Sequence, residues 1–479
     1  MSAKSTLDQI LHRHTVHPDS PSTKDKLLGA SFVVVDKSGP IYSGAAGHTS
    51  LPITSSSSSS PTFGTDSFLW VASLTKLLTT ICLMQLVQQG KLSLDQDVRE
   101  KLPELTNASI LRGFEADKEG EEAKGKAILE KIEKPITTRQ LLTHTVGLSY
   151  DVGHPLLERW AKEVGKKGDS NSMTMEGWTT PLLFPPGDGW VYGTGLDWAG
   201  ILLERVLGEN DQKMTLGQYM RKNVFEPLGM EASTLKPAAE PVEKLEKKMK
   251  DKLVPVALRD AETGELSLSE LPIPAAWDPK SESGGSGLWT TADDYGKVLA
   301  AVLRTFDQGD GELGLRKEMV DLMFSPQLND KGLEMIKEMG RVFHPGVMPE
   351  FPEGFEAVDH GLGGLLNLED VEGKRRKGSM MWHGYCNSHW VSLSFYRRGE
   401  RTANARYSGL IAKRALVRAS WLNSFPLPTQ WSSSCTMTSN GRYMGSWSPS
   451  GRRPKVFRSA YHAIQKWAGY GYNLHHQRQ

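Results

Sequence analysis

The first clear pattern begins at residue 29. Ala30 to Asp36 is rich in β-branched and apolar residues, Lys37-Ser38-Gly39-Pro40 is a turn sequence, and Ile41 to Ala46 can return, so the pattern predicts a β-hairpin over residues 29–47. The Thr54–Ser60 run has no side chains to build a core and is expected to be a surface excursion. From about Ser73 to Gln89 the apolar residues Leu77, Ile81, Met84 and Val87 recur at helical spacing, and Gly90 is suited to stop the helix. Residues 110–134 are charged and weakly periodic and are expected to form a solvated loop. Helices are expected over 137–147, 155–165, 196–207, 214–225 and 291–305, followed by Gly-rich, strand-like segments after about residue 340.

That order, a hairpin, a long helical stretch and then strands, predicts a helical domain inserted into an α/β domain built from both chain ends. The division expected is an α/β domain from 1–72 and 291–390, a mainly helical domain from 73–290, and an atypical tail from 391–479. A length of 479 residues accords with two or three structural units.

Composition alters the picture little until the tail. The cysteines (Cys82, Cys386 and Cys435) are too few and scattered for a disulfide framework or a metal-site spacing, and a reducing compartment is expected. Met1 to Asp25 carries no apolar run of the secretory kind, and no stretch is long and apolar enough to span a membrane, so a cytoplasmic location is expected. The Asn107-Ala108-Ser109 sequon is then expected to be inert. The tail, residues 391–479, holds 14 Lys or Arg against one acid, Glu400, whereas the remainder holds 43 basic and 55 acidic residues.

The chemistry starts at Ser73-Leu74-Thr75-Lys76. A Ser and a Lys three apart share one helix face. A serine hydroxyl needs a base to become a nucleophile, and a lysine serves only where burial or nearby cations lower its proton affinity. The free N–H groups of a helix's first turn favour negative charge at the serine oxygen. The spacing alone is unspecific: about two such pairs are expected by chance in a chain this long, and Ser233-Thr234-Leu235-Lys236 is a second match. Gly-x-Ser-x-Gly and His-Glu-x-x-His are absent, and the P-loop-like spacing from Gly120 to Lys126 is followed by Ala127 where Ser or Thr would bind magnesium.

The wider context selects Ser73. Phe68-Leu69-Trp70-Val71-Ala72-Ser73-Leu74-Thr75-Lys76, Leu141-Leu142-Thr143-His144-Thr145-Val146-Gly147-Leu148, Pro185-Pro186-Gly187 to Tyr192, Asn223 to Met230, and Gly284-Gly285-Ser286-Gly287 to Tyr295 follow one another in order. Over residues 25–390 this series resembles the serine β-lactamase-like and penicillin-binding-protein-like superfamily, in particular class C β-lactamase-related esterases and fungal transesterases. The resemblance implies an antiparallel sheet flanked by helices with an inserted helical domain.

It also implies Ser73 as nucleophile, Lys76 and Tyr192 as sharers of its proton, and the backbone N–H groups of Ser73 and Tyr385 as the oxyanion hole. Tyr150, Thr194, Trp382, His383 and Gly384 are the substrate-binding positions it implies. Two of these slots depart from the family pattern. Thr194 stands where the family has Asn, and Trp382-His383-Gly384 replaces Lys-Thr-Gly. Loss of that lysine removes a cation for a β-lactam carboxylate and favours esters or thioesters.

The expected activity is therefore hydrolysis or acyl transfer through an acyl-enzyme, with a role in fungal secondary metabolism. Its partners would be a small-molecule acyl donor, or an acyl-carrying protein, and water or an alcohol as acceptor. No metal or cofactor, nucleic acid or membrane is implied. β-Lactamase or D-alanyl peptidase activity is one alternative, and a catalytically inactive binding relative is another.

The resemblance stops near Trp390, where the family continues with two apolar strands and a helix. A nucleic-acid-binding or membrane-surface tail is one reading of the basic segment. A retained intron or frame error is another, because Val391-Ser392 can be encoded by an intron-start sequence and codons for Asn423 to Trp447 can read in a neighbouring frame as a strand end and an amphipathic helix. The out-of-frame reading expects transcripts spliced just after the Trp390 codon; an uninterrupted, abundant message in this frame excludes it.

Overall fold

The hairpin at residues 29–47 forms, and a seven-stranded sheet is built beside it. In the computed structural model, the described residues are 3–18, 22–51, 61–115, 125–209, 213–239, 252–260, 262–268, 277–309, 311–343, 351–372, 374–396 and 404–413. The Thr54–Ser60 run, most of Gly120–Lys126, and Asn423–Trp447 lie outside them.

Helix α1 (Ala3–His14) precedes strands β1 (Gly29–Asp36) and β2 (Gly39–Gly47), which pair antiparallel. The Ser38 N–H donates to the Asp36 carboxylate at 2.7 Å, and Gly39 takes φ +120°, which closes the turn. Strand β3 (Leu69–Trp70) then leads into helix α2 (Thr75–Gln88). The middle of the chain holds β4 (Ser109–Phe114), β5 (Ala127–Lys131), α3 (Thr138–Thr143), α4 (Pro155–Glu163), α5 (Met175–Trp178), α6 (Gly195–Gly208), α7 (Leu216–Met220) and α8 (Glu226–Leu228). Strands β6 (Ala257–Arg259), β7 (Leu266–Leu268) and β8 (Trp289–Thr290) precede helices α9 (Ala292–Gln308), α10 (Lys317–Met323) and α11 (Asp330–Phe343). The last strands are β9 (Val358–His360), β10 (Leu365–Asn367), β11 (Met380–His383), β12 (Ser388–Tyr396) and β13 (Asn404–Lys413).

The main sheet runs β2-β1-β13-β12-β11-β10-β9, and each neighbouring pair is antiparallel. Val33 and Val35 alternate inward from β1 and meet α9, where a Cβ on Gly296 would lie 3.1 Å from Val33. Helix α9 starts on Thr291, whose hydroxyl accepts the Asp294 N–H at 3.1 Å, and it buries Tyr295, Val298, Leu299, Val302 and Phe306.

Helix α2 is buried on all sides from Thr75 to Leu86, the behaviour of a helix inside a large core. Its polar side chains reach facing segments: Thr79 donates to the Gly284 carbonyl at 2.7 Å and the Gln85 amide N–H to the Leu313 carbonyl at 2.6 Å. Leu77, Leu78, Ile81 and Leu83 are each at most 1% exposed, and truncating any one to Ala costs about 2–5 kcal/mol. Packing rather than propensity therefore holds the helix. Gly90 stops it as expected, at φ +69°.

Several expectations are corrected. Residues 110–134 are not simply a loop: β4 and β5 form a ribbon, because Leu111 and Phe114 reach inward to Leu157 of α4 while β5 stays largely exposed. The helix expected to run to residue 147 ends at Thr143, since His144 adopts φ +61° and Gly147 leaves no room for a Cβ against the Phe184 carbonyl. The 214–225 helix is α7 followed by a wide turn, Arg221–Phe225. Within 73–290, β4 to β8 add strands to the helices.

The sheet also continues past Trp390. Strand β12 spans the expected break, and β13 lies between β1 and β12 in register Val33 to Leu410 and Trp390 to Leu410. The β1–β2 hairpin thus joins the rest of the sheet through β13. A chain truncated after Trp390 is expected to lose cooperative folding, which a urea titration against the full chain would show. A truncated chain with an unchanged midpoint would disprove this role for β13.

Candidate active site

The site begins with a strained entry into α2. After β3, Ala72 takes φ +47°, and residues Ala72–Leu74 form one 3-10 turn before the α-helix starts at Thr75. A left-handed Ala persists only where its surroundings hold it. Here the Val71 N–H donates to the Leu288 carbonyl at 3.1 Å, Ser388 donates to the Val71 carbonyl at 3.1 Å, and Thr75 donates to the Ala72 carbonyl at 2.6 Å. Ser73 therefore sits on the turn just before the α-helix, not inside its first turn.

Ser73 and Lys76 meet as their spacing requires: Lys76 Nζ donates to Ser73 Oγ at 3.2 Å. The Tyr192 hydroxyl donates to the same oxygen at 2.6 Å. Lys76 is 3% exposed, and its other hydrogen bonds go to the Tyr150 hydroxyl at 3.3 Å and the Gly285 carbonyl at 2.8 Å. Those three neutral acceptors match the three donors of an ammonium. The ammonium also lies 4.6 Å from the centre of the Tyr192 ring, within cation–π range. Burial, the neighbouring Tyr192 and the Asp197 charge push the Tyr150 phenol well above its ordinary proton affinity, so it remains a neutral partner.

The other Ser-x-x-Lys match is separated. Ser233 is buried against Thr290 at 2.7 Å and Asp294 at 3.0 Å, while Lys236 pairs outward with Asp278 at 2.8 Å.

Trp382 comes from β11, with its indole N–H 3.4 Å from the Tyr192 oxygen and its ring 5.3 Å from the Tyr192 ring. His383, the next residue, stacks on Trp382 and on His389 of β12, at 5.7 and 5.8 Å. Gly384 begins the turn that carries Tyr385. Its N–H donates to the Ser388 carbonyl at 2.7 Å, and a Cβ there would press into the Val71 carbonyl. Gly384 thus lets this turn dock on the segment leading to Ser73, and the Tyr385 ring lies 6.4 Å from Trp70. Burial pushes the Tyr385 phenol up to about 12.

Thr194, expected to meet substrate, is corrected: it is 0% exposed, and its hydroxyl lies 3.5 Å from the Trp178 carbonyl. It stands at the start of α6, where its carbonyl accepts the Asp197 and Trp198 N–H groups.

Three contributors were not singled out from sequence. The Gly285 carbonyl touches Lys76, Asp197 lies behind Gly285, and a histidine pair backs Tyr192. His144 packs edge-on against Tyr192 at 4.8 Å, stacks over Trp382 at 6.4 Å and meets His360 at 5.6 Å. His144 belongs to the recognised Leu-Leu-Thr-His block, but nothing in its spacing showed that its ring turns toward Tyr192. Among the described residues no group of three or more His, Cys, Asp or Glu is arranged to hold a metal, and no helix is long and apolar enough to cross a membrane.

A serine oxygen taking hydrogen bonds from a buried lysine and a tyrosine, beside an antiparallel sheet, is an arrangement chemically suited to serine acyl transfer. The β-lactamase family profile matches residues 9–389, and the chain belongs to that family. It is 34% identical over 333 residues to a lovastatin esterase of Penicillium rubens, covering 68% of this chain and 76% of that protein. It is 33% identical over 326 residues to monacolin J acid methylbutanoyltransferase of Aspergillus terreus, covering 67% and 72%. Among solved structures, unliganded simvastatin synthase from Aspergillus terreus superposes with a TM-score of 0.70 at 28% identity, covering 87% of this chain and 94% of that one. The chain is a serine-nucleophile hydrolase or acyltransferase of the acyl-enzyme type.

The buried histidines give a pH signature. Burial, with the His360 and Lys76 charges, holds His144 well below the usual imidazole range, and burial lowers His154 and His360 to about 4. In the unfolded chain each titrates near about 6.5. Below that pH the unfolded state gains protons that the folded state refuses, so stability is full above about pH 6.5 and falls as pH drops toward about 4. Urea midpoints at about pH 7.5 and about pH 5 are expected to show the loss, and His360→Asn is expected to reduce it. An equal loss in that variant would rule His360 out.

Proposed function

We propose that Ser73 is the nucleophile, that Lys76 and Tyr192 share its proton, and that the enzyme acts on esters or thioesters. The observation that carries this reading is the convergence of Tyr192 and Lys76 on Ser73 Oγ, at 2.6 and 3.2 Å. Once the Lys76–Tyr192 pair has given up a proton, it takes the proton of Ser73 as Oγ bonds to the acyl carbonyl carbon. Negative charge develops on the carbonyl oxygen, for which the backbone N–H groups of Ser73 and Tyr385 are the proposed donors.

The tetrahedral intermediate collapses, the bond to the leaving alcohol or thiol breaks, and Tyr192 returns the proton to that group. Water or an acceptor alcohol then attacks the acyl-enzyme by the same steps in reverse. Trp382 and Tyr150 are the proposed apolar wall. Trp382 occupies a slot where a lysine would hold a carboxylate, which supports esters and thioesters over β-lactams.

The proposed partners are a small-molecule acyl donor, or an acyl-carrying protein, and water or a small alcohol. The named substrates of the relatives support a role in fungal secondary metabolism.

A fluorophosphonate probe followed by mass spectrometry is expected to label Ser73. Ser73→Ala is expected to abolish labelling and nitrophenyl-ester turnover, and Tyr192→Phe to slow turnover about 10²-fold or more. Labelling at another serine would refute the assignment, and nitrocefin turnover faster than ester turnover would favour the β-lactamase alternative.

A further inference from the structure

Asp197 lies in the first turn of α6 and is 1% exposed. Its Oδ1 accepts the Gly285 N–H at 3.1 Å and the Ser283 hydroxyl. Ser283 Oγ in turn accepts the Ser286 N–H at 2.8 Å. A Cβ on Gly285 would lie 2.6 Å from Asp197 Oδ2, so the 283–288 loop is folded closely around the carboxylate.

The same loop touches the nucleophile's helix. The Gly285 carbonyl takes Lys76 Nζ at 2.8 Å, the Gly284 carbonyl takes Thr79 at 2.7 Å, and the Leu288 N–H donates to Thr75 at 2.9 Å. Gly285 thus bridges the carboxylate through its N–H and the ammonium through its carbonyl.

The titratable groups facing the Lys76–Tyr192 pair come from several elements. Tyr150 follows α3, His144 ends α3, His360 ends β9, and Asp197 begins α6. The phenol and the two imidazoles are held neutral by burial. Among these groups, Asp197 is the one that brings negative charge. Burial raises the proton affinity of its carboxyl, while the Lys76 charge and the bonds from Ser283 and Gly285 oppose that rise.

We propose that Asp197 is a positioning residue: its buried charge, carried to Lys76 across Gly285, sets the pH at which the Lys76–Tyr192 pair can accept the proton of Ser73. The proposal rests on the acyl-enzyme reading above. It gives the buried carboxylate, which makes no contact with the nucleophile, a defined effect on the reaction. Removing the anion makes the ammonium easier to deprotonate, so the base becomes available at lower pH.

The test is the pH dependence of kcat/KM for a nitrophenyl ester. In Asp197→Asn the acid limb is expected to move down by about one pH unit, while Asp197→Glu, which keeps the charge, is expected to leave it near the wild-type position. An unmoved limb in Asp197→Asn, whatever the fall in rate, would overturn the proposal. Stability gives a second readout that survives poor folding of the single variant. Adding Lys76→Met to Asp197→Asn removes the uncompensated ammonium and is expected to raise the urea midpoint; a double variant no more stable than Asp197→Asn would also overturn it. Wild-type protein that the fluorophosphonate fails to label at Ser73 would defeat the acyl-enzyme reading instead, and the stability cycle would still report the Asp197–Lys76 coupling.

Discussion

A lysine ammonium buried to 3% exposure is the constraint on which this site depends. Taking a charge of that size out of water costs several kcal/mol even after relaxation, and it is tolerated only if each donor finds an acceptor. The fold supplies these from separate parts of the chain: Ser73 one helical turn away, Tyr150 after α3, and the Gly285 carbonyl from the loop before β8. The Tyr192 ring adds a face to the same charge. Each acceptor is held in turn. Ala72 is kept left-handed by the Val71 N–H bond to Leu288 and by the Thr75 hydroxyl on its own carbonyl, and the Gly285 loop is folded on Asp197.

This arrangement explains which parts were legible in the sequence. The spacing of three brings Ser73 and Lys76 together at the start of a helix, but the ordered context around them, not the spacing, separated this pair from Ser233 and Lys236, which do not meet. Tyr192 was readable only through ordered family context, since it lies 119 residues from Ser73 in the chain. Asp197 and Gly285 were not readable as partners. Their contact joins the start of α6 to a loop 88 residues later, and no local periodicity encodes such a closure. Thr194 was misread for a related reason. It neighbours Tyr192 in sequence, but the entry into α6 turns its hydroxyl toward Trp178, so adjacency along the chain did not become adjacency in the cleft.

The fold shows the same division. The hairpin and α2 followed from local pattern, β-branched residues around a Gly-Pro turn in one case and an apolar run ended by Gly90 in the other. The β4–β5 ribbon did not. Its second strand is nearly all exposed, and it pairs because Leu111 and Phe114 on the first strand are anchored under α4. Packing from one side was enough to order a segment whose own composition reads as loop.

The break in composition at Trp390 bears on the site directly. Trp382 of β11 stands opposite Trp390 in the sheet, and Trp390 stands opposite Leu410 of β13. Trp382 is the residue whose indole reaches the Tyr192 oxygen. The Gly384–Asn387 turn beside Ser73 is closed by β12 as well, through the Gly384 N–H and the Ser388 hydroxyl that bonds Val71. The strands that follow the break therefore hold Trp382 and the strained approach to Ser73. A change in the reading frame beyond Trp390 would replace the strand that joins this part of the sheet to the β1–β2 hairpin.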